Sequence, residues 1–177
     1  MPRTGAIDDD GLDAQPVVQT LSNPFVSHRW FSLPFAWPAQ GWISTPFHEA
    51  GSYWVGGFHL GIDIAVGYGT PIRAAASGIV VAAADHGWNR GYGEYVQIDH
   101  GCNITTLYGH MEKVAVEVGE QVMRGQVIGY VGSTGAATGP HLHFELHVDG
   151  YLQDPLRFLP DLPEQAIHVT PGDPHAV

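Results

Sequence analysis

The chain has 177 residues, 44% of them hydrophobic, which suffices for one domain with a buried core. Seven Lys and Arg residues against 18 Asp and Glu give a net charge of −11. This balance argues against nucleic acid and anionic membrane surfaces as partners, because both bind clustered basic residues. No apolar run approaches the roughly 20 residues of a membrane span, and the first residues lack the apolar core of a signal peptide. The one cysteine, Cys102, excludes an intrachain disulfide.

The first 47 residues divide into two parts. Residues 1–20 are acidic and lack hydrophobic periodicity, so we expect a disordered tail. Residues 21–47 are rich in aromatic residues and in proline, which interrupts helices. We expect an extended segment packed on the domain, because a loose linker would leave much aromatic surface in water. The side chains expected to hold it are Trp30, Phe31, Phe35, Trp37 and Trp42.

From residue 58 onward, short apolar or alternating runs are separated by turn residues. The last of these runs turns at Asp149-Gly150, a strong hairpin signal, and no stretch predicts a helix of three turns. High glycine and proline counts, 23 and 13, also favour β structure. We predict a mainly β fold: a single domain of twisted, mainly antiparallel sheets over about 40–160, followed by a mobile tail at 161–177. The predicted strand regions are 71–85 with a break at Gly78, 93–100 paired with 103–110, 114–132 with turns at Gly119-Glu120 and Arg124-Gly125, and 141–152.

Two histidines stand one residue apart in TGPHLHFEL, residues 138–146. In a strand, His141 and His143 project from the same face. Such a pair suits a metal site or a proton-transfer site. Chance can also supply it, since the chain has 11 histidines.

A second candidate pair, His59 and Asp63, lies in FHLGIDIAVGYGTP, residues 58–71. A straight strand would separate them by roughly 13 Å, so they can share an ion only if the chain bends between them, which Gly61 would permit. A third candidate, His110, ends the run TTLYGH. Zinc hydrolases commonly use three N or O ligands and leave a fourth position for water. The pattern alone leaves open which of the five residues are ligands.

The order H-x-x-x-D, TTLYGH and STGAATGPHLHFEL resembles the lysostaphin-type zinc metallopeptidases, also called LytM-domain peptidases. The linking stretches GTPIRAAASGIVVAA, GYGEYVQIDHG and VGEQVMRGQVIGYVGSTG extend the resemblance over residues 58–159. It implies a LytM-type domain at 48–160, related to duplicated-hybrid-motif barrels. It further implies a single zinc ion held by His59, Asp63 and His143, with His110 and His141 assisting catalysis.

The resemblance implies a zinc-dependent endopeptidase that hydrolyses peptide cross-links of bacterial peptidoglycan through a zinc-activated water. Peptidoglycan stems or cross-bridges are then the partners, the location is extracytoplasmic, and we expect a monomer that is a fragment or mature form of an exported protein. The bond is Gly-Gly in a cross-bridge or a D-Ala–diamino acid cross-link. We favour the D-Ala bond, because a charge of −11 disfavours a wall rich in polyanionic polymers. We also hypothesise that residues 21–47 partly cover the groove.

Other functions stay open. Some members of this family have lost zinc ligands and activate cell-wall amidases without catalysis, but all five positions are filled here. The stretch VEVGEQVMRGQVIGYV resembles the hairpin of biotinyl and lipoyl carriers, yet the one lysine, Lys113, precedes it. Family members often have an Arg-x-His-Pro segment before the first ligand, and this chain lacks it. We therefore expect one wall of the groove to differ in shape from the family pattern, with the zinc chemistry unaffected. No usable pattern attaches to the remaining histidines, His28, His48, His86, His100, His147, His168 and His175.

Overall fold

The computed structural model describes residues 35–52, 54 and 56–161. Within these residues the chain forms ten strands and two single turns of 3-10 helix, Asn89–Gly91 and Pro155–Arg157. No helix in this part of the chain has the length and apolar character that crossing a membrane requires. The strands are β1 (Trp42–Thr45), β2 (Ile62–Ala65), β3 (Pro71–Arg73), β4 (Gly78–Ala84), β5 (Glu94–Asp99), β6 (Ile104–Val114), β7 (Gln121–Val122), β8 (Val127–Val131), β9 (His141–Val148) and β10 (Tyr151–Gln153).

All strand pairs are antiparallel, which confirms the predicted mainly β, antiparallel architecture. The main path of the sheet runs β1-β2-β9-β6-β5-β4-β7, with β10 added beside β9 and β8 bridging β3 and β6. Strand β6, 11 residues long, is therefore central, because it pairs with β5, β8 and β9. Strands β2 and β9 lie side by side, and their shared edge positions the candidate site.

The two predicted hairpins are present. Strands β5 and β6 pair with Asp99 opposite Thr105, across the turn at 100–103. Strands β9 and β10 pair across Asp149-Gly150, where both residues have positive φ values of 53° and 79°. Positive φ at both central residues is what a two-residue type I′ turn requires. Local turn chemistry therefore sets the register of both pairs.

The core lies between the strands and is filled by alternating apolar side chains. On β5 the buried positions are Val96 and Ile98, as the alternation predicts. Burying a large apolar side chain stabilises a fold by about 1.5–3 kcal/mol, and the fully buried set includes Tyr108 and Phe144, whose rings are 5.2 Å apart. Burial also raises the pKa of Tyr108 to about 12, so its hydroxyl stays protonated in the core.

The aromatic segment predicted at 21–47 is described only from residue 35. Phe35 and Trp37 are partly buried against the core, and Trp37 Nε1 donates to the Pro160 carbonyl over 2.9 Å. Trp42, in contrast, is 56% exposed on β1. The predictions for Trp30, Phe31, the tail 1–20 and the C-terminal tail beyond residue 161 fall outside the described residues.

Candidate metal centre

Three side chains from two adjacent strands converge on one point. Asp63 on β2 is paired directly with His143 on β9, and His59 precedes β2. His59 Nε2 lies 3.1 Å from Asp63 Oδ1 and 3.0 Å from His143 Nδ1, and the last two atoms are 2.9 Å apart. These three residues can hold a metal ion.

A bend at Leu60–Gly61 makes this convergence possible. A straight strand would hold His59 and Asp63 roughly 13 Å apart, whereas the bend brings their side chains into contact. Gly61 is needed there for space, because a Cβ atom at this position would overlap the Phe144 carbonyl oxygen on β9. The bend expected from the sequence is thus present, and its tight approach to β9 explains the glycine.

The ring tautomers leave three lone pairs facing one another. His59 Nδ1 lies 3.1 Å from the Pro46 carbonyl, and His143 Nε2 lies 3.0 Å from Glu145 Oε1. Since both partners only accept, these ring nitrogens carry the hydrogens. In the neutral rings, His59 Nε2 and His143 Nδ1 are then unprotonated and face the Asp63 carboxylate, with His59 2% and His143 6% exposed. Buried acceptors that face one another need a proton or a cation between them.

The spacing of these atoms fits zinc. Three ligands about 2.1 Å from a tetrahedral ion are roughly 3.4 Å apart, close to the 2.9–3.1 Å observed for this triangle. Two imidazole nitrogens and one carboxylate oxygen are also a donor set typical of catalytic zinc.

The electrostatics of Asp63 and His143 favour positive charge at the centre of the triangle. Burial alone would raise the pKa of Asp63, but the hydrogen bonds that protonated His143 and His59 donate to it hold this pKa far below its usual range. Burial likewise opposes a charged His143, yet bonds to Asp63 and Glu145 raise its pKa to about 9. A proton on His143 therefore competes with a cation for the same position.

A buried carboxylate, Glu145, binds the ring nitrogen of His143 that faces away from the triangle. It is 1% exposed and accepts from Tyr92 OH over 2.7 Å, from His143 Nε2 over 3.0 Å and from His147 Nε2 over 2.8 Å. Burial opposes its ionised form, but the bonds from His143 and His147 lower its pKa to about 2. The sequence prediction missed Glu145, Tyr92 and the pairing of His147, although the i+2 spacing after His143 places Glu145 and His147 on the same strand face.

His110 and His141 stand beside the triangle with one ring nitrogen free. His110 Nδ1 donates to the Thr134 carbonyl over 2.8 Å, and His141 Nδ1 donates to the Gly139 carbonyl over 2.9 Å. Their ring centroids are 4.6 Å apart, and His141 Nε2 is 3.7 Å from Asp63 Oδ1. Both Nε2 atoms are therefore unprotonated in the neutral rings and available to a molecule in the groove.

The backbone of His110 is strained, with φ at 61°. It follows the last β6–β9 pair, Gly109 opposite His143, at a point where the pairing of β6 with β5 shifts register. Such a bulge redirects a side chain out of the strand alternation, so the sequence could not predict its direction. Burial, with the neighbouring His141 and His143, lowers the pKa of His110 to about 4, and the ring is neutral at pH 7.

All five predicted site residues line one open groove of about 300 Å³. Segment 21–47 contributes Thr45 to this lining, while the packing of Phe35 and Trp37 is against the core. The hypothesis that the rest of the segment covers the groove concerns residues 21–34, outside the described range. The other lining residues are Trp54, Leu60, Arg90, Gly91, Tyr92, Ala136 and Thr138.

Comparisons with known proteins identify relatives of this chain. The sequence model of peptidase family M23 matches residues 57–155. A DD-carboxypeptidase/endopeptidase named Mpg from Neisseria meningitidis is 40% identical over 155 residues, which are 87% of this chain and 30% of that relative. The chain thus spans about 30% of the length of that curated relative.

Two solved structures share the fold. The catalytic domain of the antimicrobial peptidase lysostaphin from Staphylococcus simulans superposes with a TM-score of 0.60 at 35% identity, covering 65% of this chain and 89% of that one. A zinc-containing peptidase from Vibrio cholerae gives a TM-score of 0.62 at 32% identity, covering 74% and 41%.

Proposed function

The chain belongs to peptidase family M23, and from this premise we propose that it is a zinc-dependent endopeptidase that hydrolyses peptide cross-links of bacterial peptidoglycan. The observation behind the proposal is the buried triangle of His59 Nε2, Asp63 Oδ1 and His143 Nδ1 at 2.9–3.1 Å. The names of the relatives support the reaction class, since one is a DD-carboxypeptidase/endopeptidase and another is a zinc-containing peptidase.

A zinc ion held at the triangle would supply a Lewis acid and a bound water of lowered pKa. His59, Asp63 and His143 would be its protein ligands. Glu145 keeps the proton of His143 on Nε2, so Nδ1 stays available as a donor atom.

His110 and His141 handle the protons of the reaction. Both rings are fixed by Nδ1 bonds to backbone carbonyls, so each presents Nε2 to the same part of the groove. A neutral Nε2 can take a proton from the attacking water, and the resulting imidazolium can pass it to the leaving amine or stabilise the carbonyl oxygen as negative charge develops there. Because the rings are 4.6 Å apart, we assign these steps to the pair rather than to one ring.

The test is digestion of defined cross-linked muropeptides and of pentaglycine in parallel, with and without a chelator, alongside zinc analysis. We expect one zinc per chain and cleavage of the D-Ala cross-link, both abolished by His143→Ala and by chelation. Cleavage of pentaglycine alone would overturn the D-Ala assignment. Zinc-free protein that cleaves neither substrate would support the non-enzymatic regulator of amidases instead.

We also propose an extracytoplasmic location, because the substrate of such an enzyme lies outside the cytoplasm, and a monomeric state. Fractionation of cells that produce the full-length protein checks the location, and light scattering of the purified chain checks the mass.

A further inference from the structure

We propose that Arg90 binds a free carboxylate of the peptide in the groove, which makes an acidic stem peptide, and not an uncharged oligoglycine bridge, the substrate class. This inference rests on the proposed function and adds a specificity determinant to it. It starts from the charge of the groove wall. Arg90 is the one Lys or Arg among the described residues that line the groove, in a chain with 7 basic and 18 acidic residues.

The Arg90 side chain has no bonding partner in the part of the chain that the structure describes. Arg90 is exposed, and within the described residues no hydrogen bond or salt bridge involves its guanidinium. Its charge nevertheless acts on the groove. Burial and the nearby Glu145 raise the pKa of Tyr92, and the positive charge of Arg90 opposes that rise. An unpaired guanidinium beside a substrate groove presents a planar fork of N–H donors that matches a carboxylate.

The backbone at Arg90 is held in a conformation that an arginine rarely adopts. Arg90 has φ 58° and ψ 23°, and Asn89 before it has φ 46°, so two successive non-glycine residues are left-handed. Asparagine tolerates the left-handed region, whereas arginine is strained in it and glycine is not. Strain of this kind collects at functional sites, which points to a role for the side chain.

The loop is also rigid enough to hold Arg90 in place. The Asn89 side chain donates to the carbonyls of His86 over 2.9 Å and Gly93 over 2.7 Å. Across the groove floor, Ala136 N donates to the Gly91 carbonyl over 2.8 Å. A cation carried by this loop on the wall of the same groove can orient a peptide, because bidentate binding of a carboxylate sets both position and direction.

The chemistry of the two candidate substrates differs at this point. Stem peptides carry free carboxyl groups on their acidic and diamino acid residues, while an oligoglycine bridge carries none. Asp63, the one carboxylate among the described lining residues, belongs to the triangle, so the guanidinium has no internal competitor there. A carboxylate on the substrate therefore supplies the partner that Arg90 lacks among the described residues.

The experiment uses two D-Ala cross-linked muropeptides that differ only in their free carboxyl groups, acids in one and carboxamides in the other. For the zinc-loaded protein we expect kcat/KM to favour the acid by roughly tenfold, the size of one charge-assisted contact. Arg90→Gln should abolish the preference, and Arg90→Lys should keep part of it. Arg157→Gln is the matched control, since Arg157 is also exposed, lies outside the groove, and carries the same charge.

A second variant separates recognition from stability. Arg90→Gly removes the backbone strain, so its melting temperature should equal or exceed that of the wild type while the acid preference disappears. A lower melting temperature with the preference intact would overturn the proposal. So would equal cleavage of acid and amide by the wild type.

Failure of the proposed function gives a different result. If zinc-loaded wild type cleaves neither muropeptide, the endopeptidase assignment is wrong, and calorimetry with the acid and amide forms of an uncross-linked stem peptide still tests Arg90. Tighter binding of the acid, lost in Arg90→Gln but not in Arg157→Gln, supports carboxylate recognition, and equal binding overturns it.

Discussion

His143 is bonded at both ring nitrogens, toward Asp63 on one side and Glu145 on the other. The bond to Glu145 orients the ring and keeps a hydrogen on Nε2, and outer bonds of this kind typically contribute 10–100-fold in metal affinity. The role that the resemblance gives to His143 therefore depends on Glu145, which the sequence prediction did not identify.

We predict that Glu145→Gln weakens zinc binding by about 10–100-fold, because an amide no longer holds the proton on His143 Nε2 as firmly. Competition with a chromogenic chelator measures the affinity. Asp85→Asn is the control, since the Asp85 side chain is 75% exposed and remote from the triangle. An unchanged zinc affinity in Glu145→Gln would show that Glu145 does not contribute to zinc binding.

His110 gives the opposite expectation, because it lies beside the triangle and not in it. We predict that His110→Asn keeps its zinc but loses about 10²–10⁴-fold in kcat, the usual contribution of acid–base catalysis. Zinc analysis and a kinetic assay on the same preparation check both parts. Loss of zinc together with activity would mean that His110 is a ligand.

The residues of the site differ in how far the sequence could reveal them. His59, Asp63, His110, His141 and His143 follow from motif order, and the structure brings all five into one groove. Their separate roles remain predictions. Glu145 was visible as the next residue on the face of β9, whereas Tyr92 and Arg90 come from a loop whose path depends on long-range contacts.

At the level of elements, the site depends on the packing of the bend at Leu60–Gly61 against β9. The bend has no room for a side chain at position 61, since a Cβ atom would overlap the backbone of Phe144. The sequence could indicate a bend, because glycine permits one, but not the neighbour that requires it. Likewise, the alternation of β9 was predictable, but the bulge between β5 and β6 that redirects the His110 side chain was not.

We predict that Gly61→Ala lowers the free energy of unfolding by about 1–3 kcal/mol, the usual cost of overpacking, and weakens zinc binding by separating His59 from Asp63. Chemical denaturation and the chelator assay measure these effects. Gly67→Ala is the control, because the nearest atom to a Cβ there is 3.8 Å away. Equal stability of both variants would show that the bend tolerates a side chain.

For the whole molecule, the antiparallel fold and its hairpins followed from alternation and turn residues, since these signals are local. The joining of β2 to β9, and of β6 to three partners, is set by contacts distant in sequence and came only with the structure. The sequence also did not predict which polar groups away from the groove are buried. His100, for which no role was predicted, is 6% exposed and bonded to the Ser77 carbonyl over 2.9 Å and to Thr106 Oγ1 over 2.8 Å.

His100 makes stability depend on pH. Burial lowers its pKa below the usual 6.5, against the weaker opposing effects of Ser77 and Asp99. Below pH 6.5 the unfolded chain therefore binds a proton that the folded chain resists, and stability falls as the pH drops toward the folded pKa. The slope reaches at most about 1.4 kcal/mol per pH unit for one proton.

We predict that His100→Gln flattens the dependence of unfolding free energy on pH between pH 6.5 and 5, compared with the wild type. Denaturation across this range measures the difference. His86→Gln is the control, because the His86 side chain is 91% exposed. A wild-type slope that persists in His100→Gln would assign the acid sensitivity to other groups.

The central claim is that one cation occupies the triangle of His59, Asp63 and His143. Anomalous diffraction at the zinc edge from crystals of the purified protein tests it most directly. We expect a single strong peak about 2.0–2.2 Å from His59 Nε2, Asp63 Oδ1 and His143 Nδ1. Zinc bound through other side chains, or a triangle without a peak in zinc-saturated crystals, would contradict it.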